Sequence, residues 1–200
     1  MLNLIINQIL NHPIKNKNKQ LVSSTEGQLK VFHDHYQKLA SDPKGQNLSK
    51  EYWKNSYIPK HIIEEKHSEW EINQEISKEE IKAAILSTPN YKASGPDDIP
   101  IEFYKAMLSD NDSDSNSGLE FLYKLYNRIW DGDFPESWNN TFIDSILKNG
   151  DLTDCDNYRG ISLINNGNKI LSKIVATRIS KCGIKKKVIR SEQFGFRNKE

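Results

Sequence analysis

Lys148 and Arg159 are the cations most readily placed to do chemistry. Lys148 closes an apolar run that contains Phe142, Ile143, Ile146 and Leu147. Arg159 lies early in a second run, Tyr158 to Leu163, and the turn-forming Asn149-Gly150-Asp151 stands between the two. Runs of this kind flanking a turn predict a β-hairpin, which brings both cations to one side. An Arg fork beside a Lys point charge suits a triphosphate, with bidentate contact to one phosphate and neutralisation of another. The same residues also fit a structural role in which Lys148 caps the turn and Arg159 pairs with Asp154 or Asp156. On the residues alone both readings stand.

Other reactive side chains are less well arranged. Asp110, Asp112, Asp114 and Asn116 alternate as calcium ligands do, but Ser115 and Phe121 occupy the positions where a calcium loop needs Gly and Glu. The segment reads as a polar surface loop. His33 and His35 are two apart on a predicted helix and face different sides. Asp97-Asp98 is an adjacent carboxylate pair of the type used for two metals, but it lies in a Gly-Pro turn and reads as turn chemistry. Cys155 and Cys182 are isolated from each other, so neither a disulfide framework nor a zinc knuckle is expected. No G-x-S-x-G, Gly-rich phosphate loop or Cys/His cluster occurs, which leaves hydrolase, kinase and zinc chemistry without support.

Helices and one hairpin must position these groups. Leu29, Phe32, Tyr36 and Leu39 recur at helical spacing from Gln28 to about Ser41-Asp42-Pro43. Ser77 with Glu80 forms a capping box, and Ile76 with Ile81 a hydrophobic staple, for a helix that buries Ile81, Ala84 and Ile85 and stops before Pro89. A turn-forming run, Lys92 to Pro100, leads to a helix ending near Leu108. Residues 119–130 form another, with Leu119, Leu122, Tyr126, Ile129 and Trp130 on one side. The last spans about 168–181, with Ile170, Leu171, Ile174, Val175 and Ile179 inward and Lys173, Arg178 and Lys181 outward. Helix, helix, helix, hairpin, helix is an α+β order. Residues 1–25, polar after an apolar start that lacks the features of a signal peptide, read as a flexible arm.

The composition admits a folded core without a membrane span. Of the 200 residues, 36% are hydrophobic and 28% charged, and no stretch approaches the roughly 20 apolar residues of a spanning helix. The formal net charge of +1 conceals a strong polarity. Residues 101–156 carry four Lys/Arg against twelve Asp/Glu, whereas residues 157–200 carry eleven against two. A basic end of that kind suits a phosphate-rich partner. A reduced, intracellular setting, cytoplasmic or nuclear, is expected from the cysteine usage.

Several segments follow one family's motifs in order. Lys92-Ala-Ser-Gly-Pro-Asp-Asp-Ile-Pro-Ile-Glu-Phe-Tyr-Lys105 resembles the K-A-P-G-P-D-G-I-P-x-E-F-Y-K signature of reverse transcriptases from non-LTR (LINE-type) retrotransposons. Gly132 to Trp138, Ile146 to Asp151, Asn157 to Leu163, Lys169 to Ile179 and Gln193-Phe-Gly-Phe-Arg197 then follow in that family's order. Any one block is weak, but six in sequence over about 70–200 are specific. Residues 26–69 resemble the family's connector between endonuclease and polymerase.

This resemblance implies the fingers and the edge of the palm of a right-hand polymerase, an incomplete domain of helices packed around a β-hairpin. It implies that Lys148 and Arg159 hold the incoming deoxynucleoside triphosphate. It places Gln193, Gly195 and Arg197 beside the template, and Arg178, Lys185, Lys186 and Lys187 on template phosphates. RNA template and DNA primer are the implied partners, and no membrane. Departures from the pattern are Ser94 and Gly160 where Pro is common, Asp98 where Gly is common and Leu147 where Pro often precedes the lysine. The family's metal-binding Asp and its Tyr-x-Asp-Asp pair follow the Gln-Phe-Gly-Phe-Arg block, and no Tyr-x-Asp-Asp occurs in the 200 residues. Magnesium is thus expected in the full-length family enzyme and not on this chain alone, which is expected not to add nucleotides by itself. The alternatives are an orphan RNA-binding fingers module or a relic without function.

Overall fold

Alternation along β4 (Asn140–Leu147) buries one face of this strand, through Thr141, Ile143 and Ser145, and the rest of its sheet forms around it. The computed structural model describes residues 3–6, 11–47, 49–52, 72–108 and 117–185. β4 is the central strand of three, flanked by β1 (Asn3–Ile6), which runs parallel, and β5 (Tyr158–Leu163), which runs antiparallel. A second, two-stranded ribbon pairs β2 (Ile14–Lys15) with β3 (Leu21–Val22). The four helices that follow are α1 (Thr25–Leu39), α2 (Lys78–Leu86), α3 (Ile101–Ala106) and α4 (Ser117–Trp130), and the last is α5 (Asn166–Lys185). The α+β expectation agrees with this arrangement. Among the described residues no helix is long and apolar enough to cross a membrane.

Two units divide the chain. The first comprises Met1–Glu65, Ala93–Asp98 and Glu136–Asn165, and the second Lys66–Lys92, Ile99–Pro135 and Asn166–Glu200. In the first, the core is Ile14, Phe32, Tyr36, Ile143 and Tyr158, so α1 lies over the buried face of the sheet. Phe32 meets Tyr158 edge to face at 5.2 Å, and the Tyr36 hydroxyl donates to Ser145 Oγ at 3.1 Å. Gly160 makes this packing possible. A Cβ there would lie 2.9 Å from Tyr36 Cε1 and 3.0 Å from Ile143 Cγ2, so the residue that departs from the family's Pro admits the Tyr36 ring against the strand.

In the second unit α2 packs against α3, α4 and α5. Its start is built as the sequence predicts. Ser77 N donates to Glu80 Oε2 and Glu80 N to Ser77 Oγ, closing the capping box, while Ile76 and Ile81 are fully buried. Asn127 on α4 adds a second clamp, accepting from Ile76 N at 2.8 Å and donating to Ile76 O at 3.0 Å. Tyr126 is fully buried, its hydroxyl donates to Gly167 O, and burial pushes its phenol far above the ordinary range.

Several expectations are corrected. Residues 3–6, 14–15 and 21–22, expected within a flexible arm, form β1, β2 and β3, and Ile14 is completely buried. The polar composition of residues 11–20 gives no sign of this, and the β4 partner of β1, like Ile143 and Tyr158 beside Ile14, lies more than a hundred residues away in sequence. Leu39 is 69% exposed, beyond the face that α1 buries, and Ile179 is 50% exposed although the helical pattern turned it inward. Lys173, expected outward, is partly buried with its Nζ donating to Thr88 Oγ1 at 3.4 Å, and that burial lowers its pKa. The Asp-rich loop over 109–116 lies outside the described residues.

Candidate functional site

The hairpin between β4 and β5 places its two cations by register. Ile146 pairs with Arg159 and Leu147 with Tyr158, and Lys148 N donates to Asn157 O at 2.8 Å. Side chains alternate across a strand, so Ile146 and Lys148 share the face that carries Arg159 and Ile161. This face is the exposed one: Lys148 and Arg159 are both exposed, and Ile146 is 55% exposed. Lys148 and Arg159 are therefore diagonal neighbours, a spacing of roughly 7–8 Å that long side chains bridge.

The connecting loop is a dense set of Asx turns. Asp151 Oδ1 accepts from Thr153 N at 2.8 Å and Thr153 Oγ1 at 2.7 Å, and Asp151 Oδ2 pairs with Lys15 Nζ at 2.7 Å. These bonds hold the Asp151 carboxyl far below the usual carboxylate range, the Lys15 contact most strongly. Asn157 Nδ2 donates to Asp151 O, and Gly150, at φ +87°, makes the turn that lets Asn157 approach. Tyr158 closes the base. Its hydroxyl donates to Leu152 O at 2.8 Å, so it must accept from His12 at 3.0 Å, which puts the ring proton on Nε2.

Of the structural alternatives, the Lys148 capping contact is present only as a 3.5 Å approach of Nζ to Asp156 O. Arg159 pairs with neither Asp154 nor Asp156 among the described residues. Asp154 Oδ1 accepts from Asp156 N, and Asp156 Oδ1 faces His35.

Asp97-Asp98 is turn chemistry, as expected. Asp98 N donates to Gly95 O at 3.1 Å, and Asp98 itself sits at φ +53°, the left-handed region where the related signature has Gly. Asp97 N donates to Asn165 Oδ1 at 3.2 Å. Among the described residues no set of three carboxylates converges to form the oxygen shell that magnesium takes.

Arg178 requires a correction. Expected on template phosphates, it is turned inward, with its side chain 10% exposed. Nε and Nη2 donate to the two Glu80 oxygens, each at 2.7 Å. Nη1 donates to Ile72 O and Gln74 O, and Nη2 also to Glu75 O. All five guanidinium donors are thereby spent, and the group also lies 5.4 Å from the Trp130 ring. The Arg178 fork holds the Glu80 carboxyl down at about 2. Lys185 is exposed at the end of α5, whereas Lys186, Lys187, Gln193, Gly195 and Arg197 lie outside the described residues. Sequence reading missed two groups. One is the Arg178 clamp; the other is a convergence of His35, Cys155 and Asp156, whose members are up to 121 residues apart and carry no local spacing signal.

No protein-family profile matches the chain. Three curated proteins do. Over 124 residues, 61% of this chain, it is 32% identical to "RNA-directed DNA polymerase from mobile element jockey" of Drosophila melanogaster. Over 145 residues, 72% of the chain, it is 27% identical to "Transposon TX1 uncharacterized 149 kDa protein" of Xenopus laevis. It is 30% identical over 124 residues to "Probable RNA-directed DNA polymerase from transposon BS" of Drosophila melanogaster. The matches cover 13%, 10% and 13% of those proteins, so the chain spans about a tenth of the length of the relatives it matches. Over roughly two thirds of its residues the chain is thus similar to reverse transcriptases of non-LTR retrotransposons.

Proposed function

We propose that this chain is the fingers side of a non-LTR reverse transcriptase, with the exposed face of the β4–β5 hairpin gripping the triphosphate of the incoming deoxynucleotide. The observation that carries it is the register that sets Lys148 and Arg159 as diagonal neighbours on one exposed face. A guanidinium not engaged by Asp154 or Asp156 is available for bidentate contact with a phosphate, and the flexible ammonium two residues away in the ladder neutralises another. The internal bonds of the Asp151 loop keep this geometry fixed before a ligand arrives, which lowers the ordering cost of binding.

RNA template contact belongs to the basic end, with Lys185, Lys186, Lys187, Gln193, Gly195 and Arg197 as its residues. Such contact is sequence-independent and salt-sensitive.

Binding of a fluorescent deoxynucleoside triphosphate to the 200-residue chain, followed by anisotropy, tests the reading. Arg159→Ala and Lys148→Ala should each weaken binding by about tenfold or more, the effect of losing one charge-assisted contact worth roughly 1.5–3 kcal/mol. Equal affinity in wild type and both variants would sink it. Titration of a labelled RNA at two salt concentrations separates the alternative of an RNA-binding module. That reading predicts steeply salt-dependent RNA binding with no measurable triphosphate binding.

A further inference from the structure

His35 converges with the consecutive Cys155 and Asp156 although it lies far from them in sequence. His35 lies on α1 with its side chain 12% exposed and its ring 5.0 Å from the Tyr36 ring. Cys155 and Asp156 begin the short 3-10 turn Cys155–Asn157, which packs against α1, and Cys155 is half-buried beside the core. Asp154 fixes that turn by accepting from Asp156 N at 3.0 Å. His35 Nδ1 is 3.5 Å from Cys155 Sγ and 3.6 Å from Asp156 Oδ1, and the three donor atoms all lie within 4.8 Å of one another.

We propose that His35, Cys155 and Asp156 bind a borderline-soft divalent cation of the Zn2+ class, which staples α1 to the base of the β4–β5 hairpin. Zinc bonds of about 2.0–2.1 Å to nitrogen, about 2.3 Å to sulfur and about 2.0–2.2 Å to oxygen, set tetrahedrally, put nitrogen roughly 3.5 Å from sulfur and roughly 3.4 Å from oxygen. The observed separations from Nδ1 are already close to these. Only Asp156 has to swing, and its side chain is 82% exposed.

The geometry also excludes a nucleophilic relay. A Cys-His-Asp relay places thiol and carboxylate on opposite ring nitrogens, whereas here both face the same Nδ1, as ligands of one ion do. Thiolate and carboxylate together neutralise a divalent charge, and the imidazole binds neutral. The exposed Asp156 side leaves the fourth position to water. Binding forms a metal–sulfur bond and releases the thiol proton to solvent. The nitrogen and sulfur donors select against magnesium. The proposal is independent of the polymerase reading.

Cobalt is the probe, since a thiolate on Co2+ gives a charge-transfer band and a tetrahedral site gives visible d–d bands. Added to the untagged, metal-free 200-residue chain, Co2+ should produce both. Stoichiometric Zn2+ should abolish them, and millimolar Mg2+ should not. Cys182→Ser should keep the spectrum and Cys155→Ser lose the charge-transfer band, while His35→Gln, which leaves the thiol in the core, should weaken Co2+ affinity at least tenfold. Zn2+ should also raise the melting temperature of wild type and of Cys182→Ser but not of His35→Gln. A wild-type chain without the charge-transfer band, a band that survives Cys155→Ser, or an affinity unchanged in His35→Gln overturns the proposal.

Discussion

Arg178→Met should lower the stability of the unit that contains α2 and α5 by about 3–4 kcal/mol, read as a fall in its melting temperature on the order of 10 °C. Methionine keeps the apolar stem but removes every donor of the clamp. It strands the Glu80 carboxylate, 29% exposed, and leaves the carbonyls of Ile72, Gln74 and Glu75 without their Arg178 bonds. Each lost bond to a part-buried group costs about 1 kcal/mol or more. Hydrogen exchange should accelerate over 78–86 and 166–185. The pH dependence carries a sign of its own. Glu80 has its pKa lowered from 4.5 to about 2, chiefly by the Arg178 hydrogen bonds. Its contribution is therefore full above about pH 4.5 and fades as pH falls towards 2. Discounted for partial exposure, that contribution is about 2 kcal/mol. The gap between wild type and Arg178→Met should be widest near neutrality and shrink below pH 4. If Arg178 instead served template phosphates, the variant would melt like wild type and lose RNA affinity.

That inward arginine shows where sequence reading stops. The capping box of Ser77 and Glu80 was legible because both partners lie within one helical turn. So were the two strands of the hairpin, whereas the ten-residue connection over 148–157 leaves their register, and with it the common face of Lys148 and Arg159, to the fold. Helical periodicity assigns every charged position to solvent by default, and Arg178 satisfies the period while its partners stand 98–106 residues away. The pairing of β1 with β4 is equally remote, and the burial of Ile14 depends in part on Ile143 and Tyr158, more than a hundred residues on. Their spacing puts His33 and His35 on different sides of the helix and suggests no site, yet the neighbours of His35 are Cys155 and Asp156, far away in sequence. What the local pattern supplied was the hairpin and its cations. What it could not supply was any contact whose only signature is tertiary.

Gly95→Ala should cost the sheet-containing unit about 3 kcal/mol, more than overpacking at a yielding site, because the obstacle is backbone. A Cβ on Gly95 would lie 2.3 Å from Asn165 N, 2.4 Å from Ile164 C and 2.5 Å from Asn165 Cα. No rotamer change relieves such contacts, so the two chain segments must separate. Separation breaks the bond from Asp97 N to Asn165 Oδ1 and disturbs Asn165, which is 2% exposed and also donates to Ser137 O. Gly95 lets the Gly95-Pro96 turn lie directly on the chain just beyond β5. Pro96 and the left-handed Asp98 then shape the turn around that contact. Urea unfolding monitored in this unit should show a lower midpoint for Gly95→Ala, and exchange over 140–147 and 158–163 should accelerate. Gly132→Ala, with open space around its Cβ and only its positive φ of +112° to oppose it, should cost less. Equal losses at the two glycines would mean that backbone conformation, and not the close approach to Asn165, is what Gly95 provides.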